Sequence, residues 1–271
     1  CRWAGGHNAG HTVYVNGNKY KTHLIPCGIF YQIPSIIGPD CVVHEPSFLK
    51  EIQTLQSQGF DTSLVKISPN AHVVTDAQIQ EDAAQCNART STGSGISQCY
   101  RDKYARIGKR VGEIESLREY IWNGVLYGNV LCEGAQGFWL DINQGNYPYV
   151  TSSTTLPYGA CSLGFPPQCI STVYGVTKIY DTRAGTDPLF PDTLLENPDL
   201  NRIIEIGKEY GTTTGKKRKV NWLNVDKLID AIRISGAMQI IVSKTDVLEQ
   251  VGKFKIYYLS ELRNYSSLDK M

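Results

Sequence analysis

The sequence predicts an α/β fold, and three observations carry that prediction. Amphipathic helical segments alternate with short apolar runs of strand length, several of those runs end in glycine-rich polar turns, and the composition is that of a globular chain with a sizeable core. The 271 residues are 41% hydrophobic and 20% charged, enough for one large domain or two small ones. No linker, repeat or low-complexity tract breaks the chain, so a single domain over 1–271 with long functional loops is expected.

Taken in order, "TVYVNGNKY" from Thr12 to Tyr20 alternates on either side of Asn16-Gly17, the dipeptide a type I′ hairpin turn favours. Between Pro46 and Gln58, Phe48, Leu49, Ile52 and Leu55 fall on one helical face, and Gly59 supplies the stop. Short strands are expected at Val65–Ile67 and at 72–74. The spacing predicts a further amphipathic helix over 112–123, followed by a strand in "NVLCEG" that runs into glycines 134 and 137. Residues 171–180 read as another strand. A helix is expected over 225–234 with Asn224 as its cap, and the apolar run "QIIVS" over 239–243 is a strand ending at "KTD".

Composition also excludes some roles. Lys plus Arg number 27 against 26 Asp plus Glu, so no global basic field draws the chain to nucleic acid. No apolar run reaches membrane-spanning length, so no membrane association is expected. The eight cysteines form no CxxC pair and no zinc spacing, and they read as reduced, mostly buried thiols of a cytoplasmic protein. The chain opens Cys1-Arg2-Trp3 without a Met, and its start is expected upstream.

Four segments are too polar and too rich in glycine for their place beside strands, and a fifth, without glycine, follows an apolar strand. In "GGHNAGHT", glycines 5, 6 and 10 disfavour the helix that would make His7 and His11 a metal pair. Gly10 instead lets a phosphate or a cation approach the backbone, and His11 can donate to an oxygen gaining charge. "STGSGISQCYRDKYARIGKR" sets Thr92, Ser94 and two glycines ahead of a basic stretch, the layout of a phosphate-holding turn, with Arg106 and Lys109 able to reach that anion or a partner subunit. A capped helix with a solvated basic face is its plainer meaning. "EGAQGFWLDINQGNYPYVTSSTT" is dense in hydroxyls, amides and rings, and Gln136 offers both a donor and an acceptor to a purine edge. "YGTTTGKKRKVNW" suits a dicarboxylate or phosphate. In "VSKTDV", Asp246 at a strand end can accept from the N1 and N2 donors of guanine while the Lys244 stem packs along the base.

Together and in this order, from Gly5 to about Glu249, these segments resemble the adenylosuccinate synthetase family, which joins aspartate to IMP using GTP. The resemblance implies a large central, mainly parallel β-sheet flanked by helices, P-loop-NTPase-like, with long loops that order around ligands. It implies that GTP phosphorylates O6 of IMP and that the amino group of aspartate then displaces the phosphate at C6, with Mg²⁺ on the transferring phosphoryl group. His11 would stabilise charge on O6 and on that phosphoryl, and Gly10 would give its carbonyl to Mg²⁺. Gly10, His11 and Thr12 would border the GTP phosphates. Asn8, Thr92, Gln136 and Thr151 would hold IMP, and Arg106 would reach the IMP phosphate of the neighbouring subunit in a homodimer. The aspartate loop falls on Thr213, Thr214, Gly215 and Lys216, and GTP recognition on Arg218, Lys244 and Asp246.

Three departures accompany the likeness. The family's "GDEGKG"-type loop, with its catalytic Asp, would lie before Cys1, so residues 1–271 by themselves are expected to be inactive. The family's terminal segment is not recognisable in "LRNYSSLDKM". Ser94 and Lys216 stand where the family commonly has arginine, and lysine lacks the bidentate fork. Compact viral relatives that act on dGMP, often with ATP, are the alternative. A catalytically inactive nucleotide-binding protein and a simple guanine-nucleotide switch are two others.

Overall fold

A computed structural model describes residues 1–89, 91–211 and 215–271, with side chains 86–89 left out. The described residues pack as two compact units, Cys1–Cys169 and Ile170–Met271. The division falls within "PPQCIST", which has none of the flexible composition of a linker.

In the first unit, β1 (Arg2–Gly5) leads to the hairpin β2 (His11–Val15) and β3 (Asn18–Thr22). Asn16 and Gly17 both take positive φ, 50° and 78°, as a type I′ turn demands. Then come β4 (Ser35–Val43), α1 (Glu45–Ser57), β5 (Val65–Ile67), β6 (His72–Val73), α2 (Asp76–Arg89) and α3 (Ile96–Ala105). Strand β4 is central, pairing in parallel with β1, β5 and β6. Most of β4 is buried, as a strand covered on both faces must be. Helix α1 buries Phe48, Ile52 and Leu55 against Ile37, Val43, Val65 and Ile67. Each such side chain contributes about 1.5–3 kcal/mol of hydrophobic stabilisation.

The second unit runs β7 (Tyr174–Lys178), β8 (Tyr180–Arg183), α4 (Pro198–Gly207), β9 (Lys219–Asn224), α5 (Val225–Ser235), β10 (Gln239–Ser243), α6 (Thr245–Val251), β11 (Phe254–Tyr258) and β12 (Glu261–Tyr265). Strands β7 and β10 pair in parallel, and a second sheet has the order β12-β11-β9-β8. Asn224 caps α5 as expected, its side chain accepting from the Lys227 amide. The expected strand 171–180 divides here, with β7 joining β10 and Tyr180 opening β8 against β9. Among the described residues five of the eight strand pairings are parallel, so the chain is α/β with mainly parallel sheet flanked by helices.

Two expected elements differ. The helix expected over 112–123 is two 3₁₀ turns, Val111–Glu113 and Glu115–Tyr120. Its amides are drawn away from i−4 carbonyls: Val111 donates to Ala71, Gly112 to Pro69 and Trp122 to Ile67. The strand expected in "NVLCEG" reduces to one bridge between Glu133 and Arg2, and Leu131 is 78% exposed. The backbone of that segment meets the first residue of the chain, with Glu133 N–H donating to the Cys1 carbonyl and the Cys1 amino group donating to the Leu131 carbonyl.

The cysteines whose side chains are described are free thiols, with Cys41 and Cys99 buried and Cys169 exposed. No helix among the described residues is long and apolar enough to cross a membrane.

Candidate active site

In a parallel sheet, ligands bind beyond the carboxyl ends of the strands. Those ends in the first unit deliver Gly5 from β1, His44 after β4 and Val74 after β6. The histidine-bearing segment Gly5 to His11 therefore starts at the place where chemistry is expected. Its first two glycines serve packing. Gly5 sits at φ +82°, and a Cβ there would come within 2.8 Å of the Ala135 Cβ. A Cβ at Gly6 would meet Ile96 at 2.6 Å and Val42 at 2.9 Å.

Buried side chains hold the segment from below. Arg2, fully buried, donates from Nε to the Ala4 carbonyl and from Nη2 to the Gly6 carbonyl, and its Nη1 binds the His23 carbonyl. Gly5 N–H donates to the Tyr100 hydroxyl, which donates in turn to the Asp40 carbonyl. His23 Nδ1 lies 3.0 Å from the Ala9 carbonyl.

On this frame His11 opens β2 with Nδ1 2.9 Å from Glu133 Oε1 and 3.6 Å from Cys27 Sγ. The Cys27 N–H donates to the other Glu133 oxygen at 3.2 Å. Burial by itself would raise the Glu133 carboxyl, but the His11 ring, the Cys27 amide and the Arg2 guanidinium together hold it below its usual range. The carboxylate approaches the imidazole at Nδ1, which leaves Nε2 for a ligand. The same surroundings push the Cys27 thiol up to about 12, by burial first and the Glu133 charge second.

Gln136, at φ 62°, is beside this group, since its Oε1 is 3.5 Å from the Cβ position of Gly5. The Asn8 Oδ1 and Gln136 Oε1 atoms are buried without a hydrogen-bond partner among the described residues. Buried polar atoms of that kind are costly unless a ligand or water meets them. The structure sets Gln136 beside Gly5 and His11 beside Glu133 and Cys27, with Asn8 in the segment between Gly5 and His11; Glu133, Cys27 and Arg2 are surroundings that the sequence reading leaves without a role. Thr12 is exposed on β2.

The turn ahead of α3 is built on Asp82, 2% exposed, which accepts from the Ser91 hydroxyl and the Gly95 amide. Thr92 is exposed and donates to Ser94 Oγ at 3.0 Å. The basic stretch beyond is largely a solvated, paired face: Arg101 binds Glu81 and Asp102, Lys103 binds Asp40, and Arg110 binds Glu113. Arg106 is different, exposed at the left-handed end of α3 with no ion pair among the described residues.

Thr151, half-buried, donates its amide to the Leu140 carbonyl within a long loop tied to Asp141. That carboxylate is fully buried and accepts from the amides of Asn143, Gln144 and Thr155 and from the Thr154 hydroxyl.

In the second unit, Thr213 and Thr214 lie outside the described residues. Gly215, at φ +65°, donates to the Gly211 carbonyl, and Gly211 N–H donates to the carbonyl of exposed Lys216. Arg218 Nη1 is 3.3 Å from Oε2 of buried Glu209, which also binds Lys178 and the Tyr180 hydroxyl. Lys244, the left-handed residue before α6, donates Nζ to the Gly207 carbonyl at 2.9 Å, so its stem is fixed across the strand end. Asp246 is exposed in the first turn of α6. A cavity of about 210 Å³ in this unit, lined by Asp181, Asn224 and Lys227, contains none of the expected site residues.

Comparison with known proteins decides the family. The family model described as Adenylosuccinate synthetase matches residues 1–123 and 117–266. The chain belongs to the adenylosuccinate synthetase family. Curated adenylosuccinate synthetases of Lysinibacillus sphaericus and Brevibacillus brevis are 37% and 36% identical, each alignment spanning 94% of this chain and 73% of the relative. The fully ligated adenylosuccinate synthetase of Plasmodium falciparum is similar in structure, with TM-score 0.85 and 30% identity over 98% of this chain and 76% of that one. The succinoaminodeoxyadenylate synthetase of cyanophage S-2L, solved with dGMP and dATP, shares the fold at TM-score 0.68 and 22% identity, over 93% of this chain and 79% of that one. Membership of the adenylosuccinate synthetase family makes the chain a ligase of purine biosynthesis.

Proposed function

We propose that this ligase joins L-aspartate to IMP at the expense of GTP, through 6-phosphoryl-IMP, giving adenylosuccinate, GDP and phosphate in the cytoplasm. The observation that carries the reading is His11, 2.9 Å from Glu133, in a segment that starts at the carboxyl end of a parallel sheet and also holds the buried Asn8 Oδ1, unpartnered among the described residues. Gln136 and Asn8 read the purine, with Thr92 and Thr151 as further IMP contacts. O6 of IMP takes the γ-phosphoryl group as GDP leaves, and the amino nitrogen of aspartate then forms its bond to C6 as phosphate departs. His11 donates from Nε2 to the oxygen on which charge grows, and Glu133 keeps the ring turned for that donation.

Mg²⁺ is held by few protein ligands plus substrate phosphates, all oxygen. Gly10 would offer a backbone carbonyl oxygen of that kind, and Mg²⁺ held there would neutralise charge on the transferring phosphoryl group. His11 and Thr12 border the GTP phosphates. Thr213, Thr214, Gly215 and Lys216 take the aspartate, while Arg218, Lys244 and Asp246 take the GTP. The homodimer reading is supported by Arg106, which stands exposed between Tyr104 and Ile107, themselves 73% and 76% exposed. An arginine among exposed apolar groups is what a partner-facing patch contains.

IMP is favoured over dGMP by the closer likeness to the named adenylosuccinate synthetases than to the cyanophage enzyme. Phosphate release by protein made from the complete reading frame, with Mg²⁺ and aspartate and each pairing of GTP or ATP with IMP or dGMP, tests the proposal. Release with GTP and IMP is expected. Release chiefly with dGMP assigns the viral-type reaction, and no release in any pairing leaves a nucleotide-binding protein.

A further inference from the structure

His11 Nδ1, Cys27 Sγ and a Glu133 carboxylate oxygen lie within 4.8 Å of one another. The geometry points to a second, separate cation site at this triad, one that takes a single Zn²⁺-class ion. The donor set decides the class. Thiolate, imidazole and carboxylate suit zinc and its soft neighbours, whereas Mg²⁺ takes oxygen alone.

Two of the three separations are near what zinc needs, and the third, Cys27 Sγ to the Glu133 oxygen, lies within 4.8 Å and closes by about an ångström on binding. Zinc bonds of about 2.0–2.3 Å in a tetrahedron set the ligand atoms about 3.3–3.6 Å apart. Cys27 Sγ and His11 Nδ1 stand 3.6 Å apart, and the 2.9 Å between His11 Nδ1 and Glu133 Oε1 needs to open by only about half an ångström. Each ligand also comes from a separately fixed element. His11 opens β2 opposite Thr22, Cys27 opens the 3₁₀ turn Cys27–Tyr31, and Glu133 bridges to Arg2 of β1. Three protein ligands of this kind leave a fourth position for water or another ligand.

On binding, the Cys27 thiol gives its proton to solvent and the ion takes the place of the His11–Glu133 contact. The ion then occupies Nδ1, so the imidazole can no longer carry a second proton. That consequence for catalysis rests on the function proposed above, but the binding does not.

The test uses no substrate, so it stands apart from the IMP reading. Purified protein is titrated with Zn²⁺ against a chromophoric chelator, and with Co²⁺ and Cd²⁺ to read thiolate-to-metal absorption. We expect one ion per chain with a thiolate band. Cys27→Ser should lose the band and weaken Zn²⁺ binding at least about tenfold, while Cys169→Ser on the exposed thiol changes neither. Alkylation mapped by mass spectrometry needs no variant: saturating Zn²⁺ should slow labelling of Cys27 at least about tenfold and leave Cys169 unaffected. Zn²⁺ binding unchanged in Cys27→Ser, a band lost only in Cys169→Ser, or Cys27 labelling indifferent to Zn²⁺ would each overturn the assignment.

Discussion

His7 illustrates how burial sets the protonation of a single residue. Its ring is 5.2 Å from that of His44, and its Nδ1 is buried without a partner among the described residues. Burial first, then the neighbouring His44 and His23, lowers its pKa from 6.5 to about 4. Between those two values the unfolded chain holds a proton that the folded chain refuses. Stability therefore rises with pH across that window and is lost as pH falls from about 6.5 towards 4, by at most about 3 kcal/mol. Urea midpoints at pH 7 and pH 4.5 check this: His7→Gln should shrink the difference between them, and an undiminished difference would assign the acid sensitivity to other groups. Residue types made much of this region legible in the sequence. Glycines with histidines and amides mark an anion-meeting backbone, so His11, Asn8 and Gln136 stand out. Their supports do not, because Glu133 is 122 residues from His11 and 106 from Cys27 along the chain, and nothing local ties them.

At the scale of elements, what was legible is what local bonds decide. The Asn16-Gly17 hairpin, the α1 face of Phe48, Ile52 and Leu55, and the Asn224 cap of α5 all close within a few residues. The 3₁₀ turns over 111–120 escaped because their helical periodicity competes with amides committed to Ile67, Pro69 and Ala71, some 40 to 55 residues away. The loop after Gln136 escaped for a related reason. Its content reads as ligand-binding, yet it is also built, around one carboxylate. Burial would raise the Asp141 carboxyl, but its donors, the Thr155 and Asn143 amides foremost, hold it below the usual range. Its contribution is thus present above an unfolded value near 3.8 and is lost as pH falls through the lower folded value. Asp141→Ala strands the buried amides it serves and should lower stability by roughly 3 kcal/mol, with faster hydrogen exchange at Asn143, Gln144 and Thr155. Asp141→Asn, which keeps one acceptor oxygen, should cost less. A loss under about 1 kcal/mol in the alanine variant would mean the loop is held elsewhere.

At the scale of the whole molecule, Arg106 is an exposed cation without an ion pair among the described residues. A guanidinium with no carboxylate partner among the described residues, flanked by exposed Tyr104 and Ile107, is placed for contact with another surface. If that surface is a second copy, and Arg106 serves the partner's IMP phosphate, the two halves of one active site belong to different chains. Subunit mixing reads this directly, because defects in different chains complement only when the site is shared. Arg106→Ala and His11→Ala proteins should each be nearly inactive. Mixed in equal amounts and allowed to exchange, half of the dimers become hybrids, and each hybrid has one site with both groups intact. Activity should recover to about a quarter of the parental value. Sedimentation should show a dimer before and after mixing, and a Tyr104→Glu change beside Arg106 should weaken that dimer through a buried unpaired charge. No recovery on mixing, with exchange confirmed by a mass tag on one variant, would confine Arg106 to its own subunit. Recovery near a quarter, lost again when both changes are placed in one chain, would locate the phosphate contact across the dimer.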